Sequence, residues 1–466
     1  MLDFGTDGVR GPSAEFTPGW LGAFAHALVD VLGPGPFVLG RDTRRSGPDI
    51  TAALAAGVTA AGGAVADLGV APTPAVAWVA SDTGWPGVVV SASHNPFDDN
   101  GLKVFAAGGT KLDDDTERRL AGALRDALAA APEPADGQSR PAGGTDGAPA
   151  PDHPGVGPEW GEQALARYVD HVVASLPPDA LGGLRVVLDC ANGAASAVAP
   201  RLFARLGADV VALHDTPDGC NINAGCGSTH LEVLAAAVPA AGADLGLAFD
   251  GDADRVLAVD AEGTTVDGDQ IIAMLALDRH RRGTLAGPAV VVTVMANLGL
   301  RLAMAEAGIE VVETPVGDRH CLAALEAHGL TLGGEQSGHV ILADLATTGD
   351  GLLCGAHLAS LVARSGTSLG ALTAAAMTRL PQVLRNVEVA GDRPAVVAAV
   401  AGELAAAEAE LGASGRVLLR PSGTEPLVRV MVEAPSSEVA AEVADRLAAA
   451  ISVAAGSPGA AGGLQT

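Results

Sequence analysis

Three stretches of the chain repeat one pattern of apolar and polar positions. A short run of Val and Leu gives way to a polar turn and then to an Ala-rich segment, in FVLGRDTRRSG (37–47), RVVLDCANGAA (185–195) and AVVVTVMANLG (289–299). A short apolar run bounded by turn residues predicts a buried strand, and Asp, Asn, Ser or Gly before the Ala-rich segment predicts a helix start. Strands that alternate with helices predict parallel α/β layers. We therefore predict three α/β domains with loose internal similarity.

The remainder of the chain follows two other patterns. VLRNVEV, RVLLRPSGTEP and LVRVMVEA are strand-like and are accompanied by helical segments near 393–411 and 436–453, which predicts an α+β domain. Residues 132–160 are rich in Pro, Gly and Ala and poor in large apolar side chains. Such a segment cannot bury enough surface to fold, so we predict a mobile linker or surface insertion.

These patterns divide the chain into six predicted parts. They are α/β domain I at 1–131, the linker or insertion at 132–160, α/β domain II at 161–265, α/β domain III at 266–375, an α+β domain IV at 376–455 and a disordered tail at 456–466.

The charge and the apolar pattern of the chain argue against two kinds of partner, nucleic acids and membranes. With a net charge of −27 and only 28 Lys plus Arg, the chain lacks the basic face of a nucleic-acid binder. The longest apolar stretch, near 289–308, is broken by Asn297 and Arg301, so we expect no membrane span. Five cysteines without a C-x-x-C pair are typical of a reducing compartment, and we expect a cytoplasmic protein.

One group of residues has some of the composition of a zinc site. His214, Cys220, Cys226 and His230 lie close in sequence, but their spacing is looser than that of usual zinc sites. Roles in the core or in turns are therefore favoured.

The stretch VVVSASHNPFDDNGLKVF (88–105) places polar residues where a buried strand ends. Asn95-Pro96 stops the strand, because proline biases the preceding residue away from the helical region. Ser93 and His94 are thus expected on a tight turn at the carboxyl end of a strand, where open α/β sheets bind ligands. A solvated turn is the alternative from these letters alone.

LGLAFDGDADRVLAV (245–259) carries three closely spaced carboxylates, Asp250, Asp252 and Asp254. Such carboxylates repel one another unless a hard cation lies between them, and ligation by oxygen alone suits Mg²⁺. An EF-hand loop is excluded, because Arg255 stands where glycine is needed and Ala261 where glutamate is needed. The same residues also fit the D-x-D-x-V signature of dehalogenase-type phosphatases, although here it stands in mid-chain.

Three further motifs have the composition of anion or sugar sites. RPSGTEP (420–426), with Arg429 beyond it, offers hydroxyls, backbone N–H groups and guanidinium groups to an anion. GGEQSGH (333–339) offers acceptors and donors to vicinal sugar hydroxyls, although a plain polar loop is equally consistent with it. GTDGVRG (5–11) presents Arg10 on a loop rich in glycine.

Taken together, SASHNP, DGDADR, GEQSGH and RPSGTEP, in this order over nearly the whole chain, resemble the motifs of the α-D-phosphohexomutase superfamily. GTDGVRG, GDR (317–319) and the glutamine of GEQSGH are most similar to its bacterial branch that acts on glucosamine phosphates. The resemblance implies four domains around a central active-site cleft. It also implies a phosphoserine enzyme that interconverts glucosamine 6-phosphate and glucosamine 1-phosphate, supplying UDP-N-acetylglucosamine and cell-wall synthesis. The Pro/Gly-rich segment departs from the pattern but lies between the motifs.

The resemblance also implies roles for individual residues. Ser93 would carry the phosphoryl group, with His94, Lys103 and Arg10 as further catalytic residues. One Mg²⁺ per active site would be held by Ser93 and the three carboxylates. The implied substrate-binding residues are Arg255, Asp318, Arg319, Glu335, Ser337, His339, Arg420, Ser422, Gly423, Thr424 and Arg429.

The expected activator and partners follow from the same resemblance. Glucosamine 1,6-bisphosphate or glucose 1,6-bisphosphate would be the intermediate and activator, and Ser93 would first be phosphorylated by a kinase or by autophosphorylation. A homodimer is left open.

The alternative functions are a phosphomannomutase or phosphoglucomutase of the same superfamily, an aspartate-based sugar phosphatase, and a non-catalytic sugar-phosphate sensor. A serine hydrolase is disfavoured, because adjacent residues of an extended chain point to opposite faces, so that His94 could not act as base for Ser93.

Overall fold

The valine-rich strands predicted from the sequence form the parallel centres of three separate sheets. The structure is a computed structural model that describes residues 2, 4, 5, 8–130, 159–422 and 425–456. The chain divides into two compact units. Unit 1 comprises 1–295 and 308–376, and unit 2 comprises 296–307 and 377–466. Apart from residues 159, 160 and 456, the predicted linker and tail lie outside the described residues.

The first sheet of unit 1 contains the strand that precedes Ser93. Its strands are β1 (Phe4–Gly5), β2 (Gly8–Pro12), β3 (Phe37–Arg41), β4 (Val65–Val70), β5 (Gly87–Val90) and β6 (Asp99–Phe105). They lie in the order β1-β2-β6-β5-β3-β4. β3 pairs in parallel with β4 and β5, whereas β6 is antiparallel to β5 and β2. The helices of this region are α1 (Pro18–Leu32), α2 (Gly47–Ala60), α3 (Thr73–Thr83) and α4 (Asp114–Ala130).

Apolar side chains cover both faces of this sheet. Val88 and Val90 pack with residues of α1, α2 and α4, and Val89 packs with residues of α3. Successive side chains of a strand point to opposite faces, so a run of valines buries itself on both. Trp160 joins the cluster of Val89 and begins α5 (Trp160–Ala174). The prediction that Trp160 belongs to a linker was wrong, because its large apolar ring is buried in this core cluster.

The second and third sheets of unit 1 repeat the arrangement. The second has β7 (Arg185–Asp189), β8 (Asp209–Leu213), β9 (Leu245–Phe249), β10 (Val256–Asp260) and β11 (Thr265–Val266), in the order β11-β10-β9-β7-β8. The third has β12 (Ala289–Thr293), β13 (Glu310–Thr314), β14 (Leu332–Gly334) and β15 (Val340–Leu342), in the order β13-β12-β14-β15. Their helices are α6 (Ala199–Arg205), α7 (Glu232–Ala241), α8 (Gly268–Arg281), α10 (Asp318–His328), α11 (Gly351–Ser365) and α12 (Leu369–Ala376).

Each of the three sheets ends its parallel centre with a hairpin. β5, β9 and β14 are each followed along the chain by an antiparallel partner, namely β6, β10 and β15. The centre of each sheet is parallel, as predicted, and the hairpin adds an antiparallel strand to it. The three hairpin loops, 91–98, 250–255 and 335–339, carry the SASHNP, DGDADR and EQSGH motifs. The motifs thus occupy equivalent positions in the three sheets.

Unit 2 has the predicted α+β architecture. Its antiparallel sheet has the order β16-β18-β17, formed by β16 (Gln382–Glu388), β17 (Arg416–Pro421) and β18 (Leu427–Glu433). Its helices are α9 (Leu298–Glu306), α13 (Arg393–Ala399), α14 (Ala401–Leu411) and α15 (Ser437–Ala454). The buried carboxylate of Glu433 ties α9 to this sheet, because it accepts hydrogen bonds from the backbone of Leu298 and from Arg416, both at 2.9 Å.

No helix in the described ranges combines the length and apolarity needed to cross a membrane. The five cysteines all lie within those ranges and are free thiols. The domain boundaries given above remain predictions.

Candidate active site

Ser93 lies on a sharp turn directly after β5. Its backbone is in the left-handed region (φ 53°), and the residue is fully buried. Few residues other than glycine adopt this conformation, so neighbouring contacts must hold it. Ser91 provides one, because its hydroxyl accepts a hydrogen bond from the Ser93 backbone at 2.9 Å and donates one to Asp42 at 2.6 Å.

Arg44 holds the rest of this loop, a role that the sequence analysis missed. Its side chain is completely buried, and Nε donates to Oδ2 of Asp42 at 2.8 Å. Its Nη2 donates to the carbonyl oxygens of Ser93 at 2.9 Å and Asn95 at 2.8 Å. Its Nη1 donates to two further carbonyl oxygens, those of Pro96 and Asp99. One rigid guanidinium group therefore fixes the path of the backbone on both sides of Ser93.

Asp250, Asp252 and Asp254 lie together beside Ser93. All three are buried, and their oxygens come within 4.8 Å of one another. The Ser93 hydroxyl donates a hydrogen bond to Oδ2 of Asp250 at 2.6 Å. In the described part of the chain, Oδ1 of Asp252 and Oδ1 of Asp254 accept no hydrogen bond. The structure thus brings together the four residues that the sequence analysis assigned to one Mg²⁺.

The pKa values of Asp250 and Asp254 are shifted in opposite directions. Burial, with repulsion from Asp254 and Asp252, raises the pKa of Asp250 well above its usual range. Burial acts in the same direction on Asp254, but Lys103 and His339 outweigh it and hold the pKa of that carboxyl well below its usual range. Buried carboxylates with unpaired oxygens suit a hard dication, and a set of donors made up of oxygen atoms fits Mg²⁺.

Lys103 lies against the carboxylates. It is on β6, and its Nζ is 2.8 Å from Oδ2 of Asp252 and 2.8 Å from Oδ2 of Asp254. The Thr73 hydroxyl donates to the same Asp252 oxygen at 2.5 Å. The buried ammonium group thus offsets part of the acidic charge. Its expected action on Ser93 stays a prediction.

His94 lies close to the Ser93 hydroxyl. The two are 3.4 Å apart, measured from Nδ1 of His94 to Oγ of Ser93. The premise that they point to opposite faces was wrong, because the backbone of Ser93 is left-handed and not extended. Burial, together with the positive charges of Arg255 and Arg10, lowers the pKa of His94 to about 4. A neutral imidazole therefore faces the hydroxyl at neutral pH, while the hydroxyl hydrogen is donated to Asp250.

Arg10 and Arg255 supply positive charge near His94. Arg10 is on β2, opposite Gly101 of β6. Arg255 follows the carboxylates, and its Nε lies 3.8 Å from Oδ1 of Asp254. Burial disfavours its charge, but Asp254 and Asp250 outweigh burial and raise the pKa of Arg255.

The loop between β14 and β15 divides into an accessible and a buried part. Ser337 is exposed, and its hydroxyl donates to Oε2 of Glu335 at 3.2 Å. His339 is buried between two carboxylates, with Nδ1 3.8 Å from Asp254 and Nε2 3.7 Å from Asp318. Burial opposes its charge, but the carboxylates of Asp254 and Asp318 together outweigh burial and raise the pKa of His339. Substrate binding by Glu335, Ser337 and His339 stays a prediction.

The GDR segment contacts α4 and the residues just before it. Asp318 forms an ion pair with Lys111. Arg319 forms ion pairs with Glu117 and, at 2.7 Å, with Asp114, both in the first turn of α4. These contacts were not predicted, since the partners have no motif of their own. Substrate binding by Asp318 and Arg319 stays a prediction.

In unit 2, the RPSGTEP segment connects β17 and β18. Gly423 and Thr424 lie outside the described residues. Arg420 and Arg429 lie directly opposite each other in the register of the two strands. Like charges at such positions are destabilising unless an anion offsets them. Glu425 partly does so, since it lies 2.7 Å from Arg429, while the backbone of Glu425 donates to the Ser422 hydroxyl at 3.2 Å.

Comparison with known proteins agrees with this arrangement. Four family models match the chain, all described as phosphoglucomutase/phosphomannomutase: alpha/beta/alpha domain I at residues 1–129, domain II at 166–263, domain III at 267–380 and the C-terminal domain at 384–450. The domain II match spans the three carboxylates. They therefore belong to a mutase domain and not to a dehalogenase-type phosphatase.

Individual relatives cover almost the whole chain. A phosphoglucosamine mutase of Frankia alni is 54% identical over 98% of this chain and 99% of its own. The structure of a phosphoglucomutase/phosphomannomutase family protein from Burkholderia thailandensis superimposes with a TM-score of 0.73 at 25% identity, over 96% of this chain and 97% of that one. An Aspergillus fumigatus N-acetylphosphoglucosamine mutase, solved with GlcNAc-6P and magnesium, has the same fold, with a TM-score of 0.64 at 20% identity over 97% and 96% of the two chains. The resemblance seen in the motifs is confirmed: the chain belongs to the phosphoglucomutase/phosphomannomutase family of sugar-phosphate mutases.

Proposed function

We propose that this mutase interconverts glucosamine 6-phosphate and glucosamine 1-phosphate, with Ser93 as the carrier of the phosphoryl group. The observation that supports this most strongly is the placement of the Ser93 hydroxyl, 2.6 Å from Asp250 and within a cluster of three buried carboxylates. Glucosamine phosphates are favoured over other hexose phosphates by the likeness to phosphoglucosamine mutases over almost the full length.

The reaction begins from phosphorylated Ser93. The phosphoryl group passes to the free hydroxyl of the sugar phosphate, which forms a P–O bond as the Ser93 Oγ–P bond breaks. The hydroxyl proton needs an acceptor, and the proposed acceptor is the neutral imidazole of His94, whose Nδ1 lies 3.4 Å from Oγ of Ser93. The resulting bisphosphate turns end for end, and its other phosphoryl group returns to Ser93. Substrate and product thus differ only in which oxygen carries phosphate.

Phosphoryl transfer depends mainly on positioning and on charge neutralisation. Mg²⁺, when bound by Ser93, Asp250, Asp252 and Asp254, would offset negative charge on the group in transfer. With such a cation bound, the carboxyl group of Asp250 would release its proton to solvent, because the positive charge of the cation would oppose the burial and the repulsion from Asp254 and Asp252 that raise the pKa of Asp250. Lys103, which pairs with Asp252 and Asp254, would add a further positive charge.

Two loops are proposed to hold the substrate. Glu335 and Ser337 supply an acceptor and a donor that suit vicinal sugar hydroxyls. The phosphate that is not reacting requires an anion holder, and Arg420 with Ser422 and Arg429 has the composition for it.

A coupled mutase assay tests this function. The 6-phosphates of glucosamine, N-acetylglucosamine, glucose and mannose would each be supplied with catalytic bisphosphate and Mg²⁺. We expect the highest kcat/KM for glucosamine 6-phosphate, and no turnover by Ser93→Ala despite an unchanged circular dichroism spectrum. A higher kcat/KM for mannose or glucose phosphate would instead place the protein with the phosphomannomutases or phosphoglucomutases.

A further inference from the structure

A second cluster of metal-ligating side chains lies in the second sheet, apart from the three carboxylates. It consists of Asp189, His214 and Cys226, whose ligand atoms all lie within 4.8 Å of one another. Asp189 is the last residue of β7, and His214 directly follows β8. Asp189 and Cys226 are fully buried, whereas the His214 side chain is 28% exposed. Two of these residues were considered for zinc from the sequence, but Asp189 was not, because it is distant along the chain.

The carboxylate and the imidazole are held close together without a hydrogen bond. Nδ1 of His214 is 3.0 Å from Oδ1 of Asp189, yet it makes no hydrogen bond within the described part of the chain. The carboxylate itself is oriented by backbone N–H groups, those of Ala191 and Gly227, each at 3.0 Å. Such outer contacts are typical of carboxylates that ligate a metal.

Neighbouring groups shift the pKa of the Cys226 thiol in opposite directions. Burial, followed by the negative charge of Asp189, raises the pKa of the Cys226 thiol to about 11. Hydrogen bonds from the backbone of Ala224 and the side chain of Asn192 act in the opposite direction. A cation at the centre of the cluster would offset the carboxylate and favour the thiolate.

We propose that Asp189, His214 and Cys226 form a second metal site that takes Zn²⁺ in preference to Mg²⁺. Sulfur, nitrogen and oxygen donors together suit the borderline-soft Zn²⁺, whereas Mg²⁺ requires oxygen ligands. Three protein ligands leave one tetrahedral position for water, and the partial exposure of His214 provides the route by which the ion and the water enter.

The site lies at the base of a loop that reaches the phosphoserine turn. Residues 214–226 begin at His214 and end at Cys226, and Asn223 lies between them. Its Nδ2 donates to the carbonyl oxygens of Ser93 at 2.8 Å and Asn95 at 3.2 Å. A metal that joins both ends of the loop to β7 therefore restrains Asn223 and, through it, the backbone of Ser93.

Cobalt titration of the full-length protein tests the site. After metal removal and dialysis free of chelator, Co²⁺ would be added while thiolate-to-cobalt charge-transfer absorption is recorded. We expect a saturable band at one ion per chain that Zn²⁺ abolishes and excess Mg²⁺ does not. The Asp252→Asn variant should keep the band, because the carboxylate cluster contains no sulfur.

Two variants locate the site. Cys226→Ser should lose the band, whereas Cys220→Ser, which alters a partly exposed thiol outside the cluster, should keep it. His214→Gln leaves the thiol in place and should weaken Zn²⁺ binding at least about tenfold, measured by competition with a chromophoric chelator. The proposal is overturned by the absence of a band in the parent, by a band that depends on Cys220, or by Zn²⁺ affinity unchanged in His214→Gln.

Discussion

Oγ of Ser93 and Oδ2 of Asp250 lie 2.6 Å apart, although 157 positions separate them in the chain. Each residue belongs to the hairpin loop that ends the parallel centre of its own sheet, after β5 and after β9. Two equivalent loops, one from the first sheet and one from the second, thus bring a hydroxyl group and three carboxyl groups together. This contact places the proposed phosphoryl carrier beside the proposed site for a dication.

Asp252→Asn tests the metal-binding role of the cluster. The substitution keeps the shape of the side chain but removes one negative charge, so Mg²⁺ should bind more weakly and kcat should fall on the order of 100- to 1000-fold. Calorimetric titration with Mg²⁺ and the mutase assay measure the two effects. Asp115→Asn, at an exposed position of α4, should behave like the parent. Full activity of the parent in excess chelator would contradict the role.

Arg44→Lys tests the positioning of the phosphoserine turn. Lysine keeps the positive charge beside Asp42 but cannot reach four carbonyl oxygens in the way that a guanidinium group does. A shift of Ser93 by about 1 Å is expected to lower kcat on the order of 100-fold with little change in KM. The neighbouring Arg45 is exposed, and Arg45→Lys should leave both constants unchanged. Equal effects of both variants, or a change in KM alone, would argue against this role of Arg44.

His94 should show an unusual titration. In the unphosphorylated protein its pKa is lowered to about 4, so its imidazole signals should not shift between about pH 6 and 8. A phosphate on Ser93 places negative charge beside the ring, which favours the imidazolium form and should move the midpoint upward. NMR spectra of the histidine Cε1–H groups, assigned with His94→Gln, measure both states. A midpoint near the ordinary value of about 6.5 in the unphosphorylated protein would refute the prediction.

Much of this arrangement could be predicted from the sequence. The valine runs identified β5, β7 and β12, because a strand buried on both faces needs apolar residues at every position. The motif residues Ser93, Asp250, Asp252 and Asp254 were predicted to act together, and the structure places them together.

Other features had no signal in the sequence. The partners of Arg44 are backbone carbonyl oxygens, which every residue has, so nothing in GRDTRRSG marks that role. The short distance between Ser93 and His94 depends on one left-handed residue, which apolar and polar periodicity does not reveal. The pairing of Arg319 with Glu117 joins segments far apart in the chain. Such contacts depend on the tertiary arrangement of elements rather than on local propensity.

Arg420→Ala tests the proposed anion loop of unit 2. A charge-assisted hydrogen bond contributes roughly 1.5–3 kcal/mol, so kcat/KM should fall on the order of 10- to 100-fold. The bisphosphate should also escape more often, so that activity declines unless bisphosphate is added back. Free bisphosphate and activity would be followed together, with Arg446→Ala, which alters an exposed ion pair to Glu410, as the control. If both variants behave like the parent, the loop is only a structural turn.

The central claim is that Ser93 carries the phosphoryl group, and a single-turnover experiment tests it most directly. Protein phosphorylated by bisphosphate would be digested and its phosphopeptides mapped, before and after mixing with one equivalent of glucosamine 6-phosphate. We predict phosphate on Ser93 at the start and, on mixing, a loss of phosphate from Ser93 that equals the amount of glucosamine bisphosphate formed, because each phosphoryl group that leaves Oγ is transferred to a sugar hydroxyl. Phosphate on Ser91 or on an aspartate, or full activity of Ser93→Ala, would contradict the mechanism.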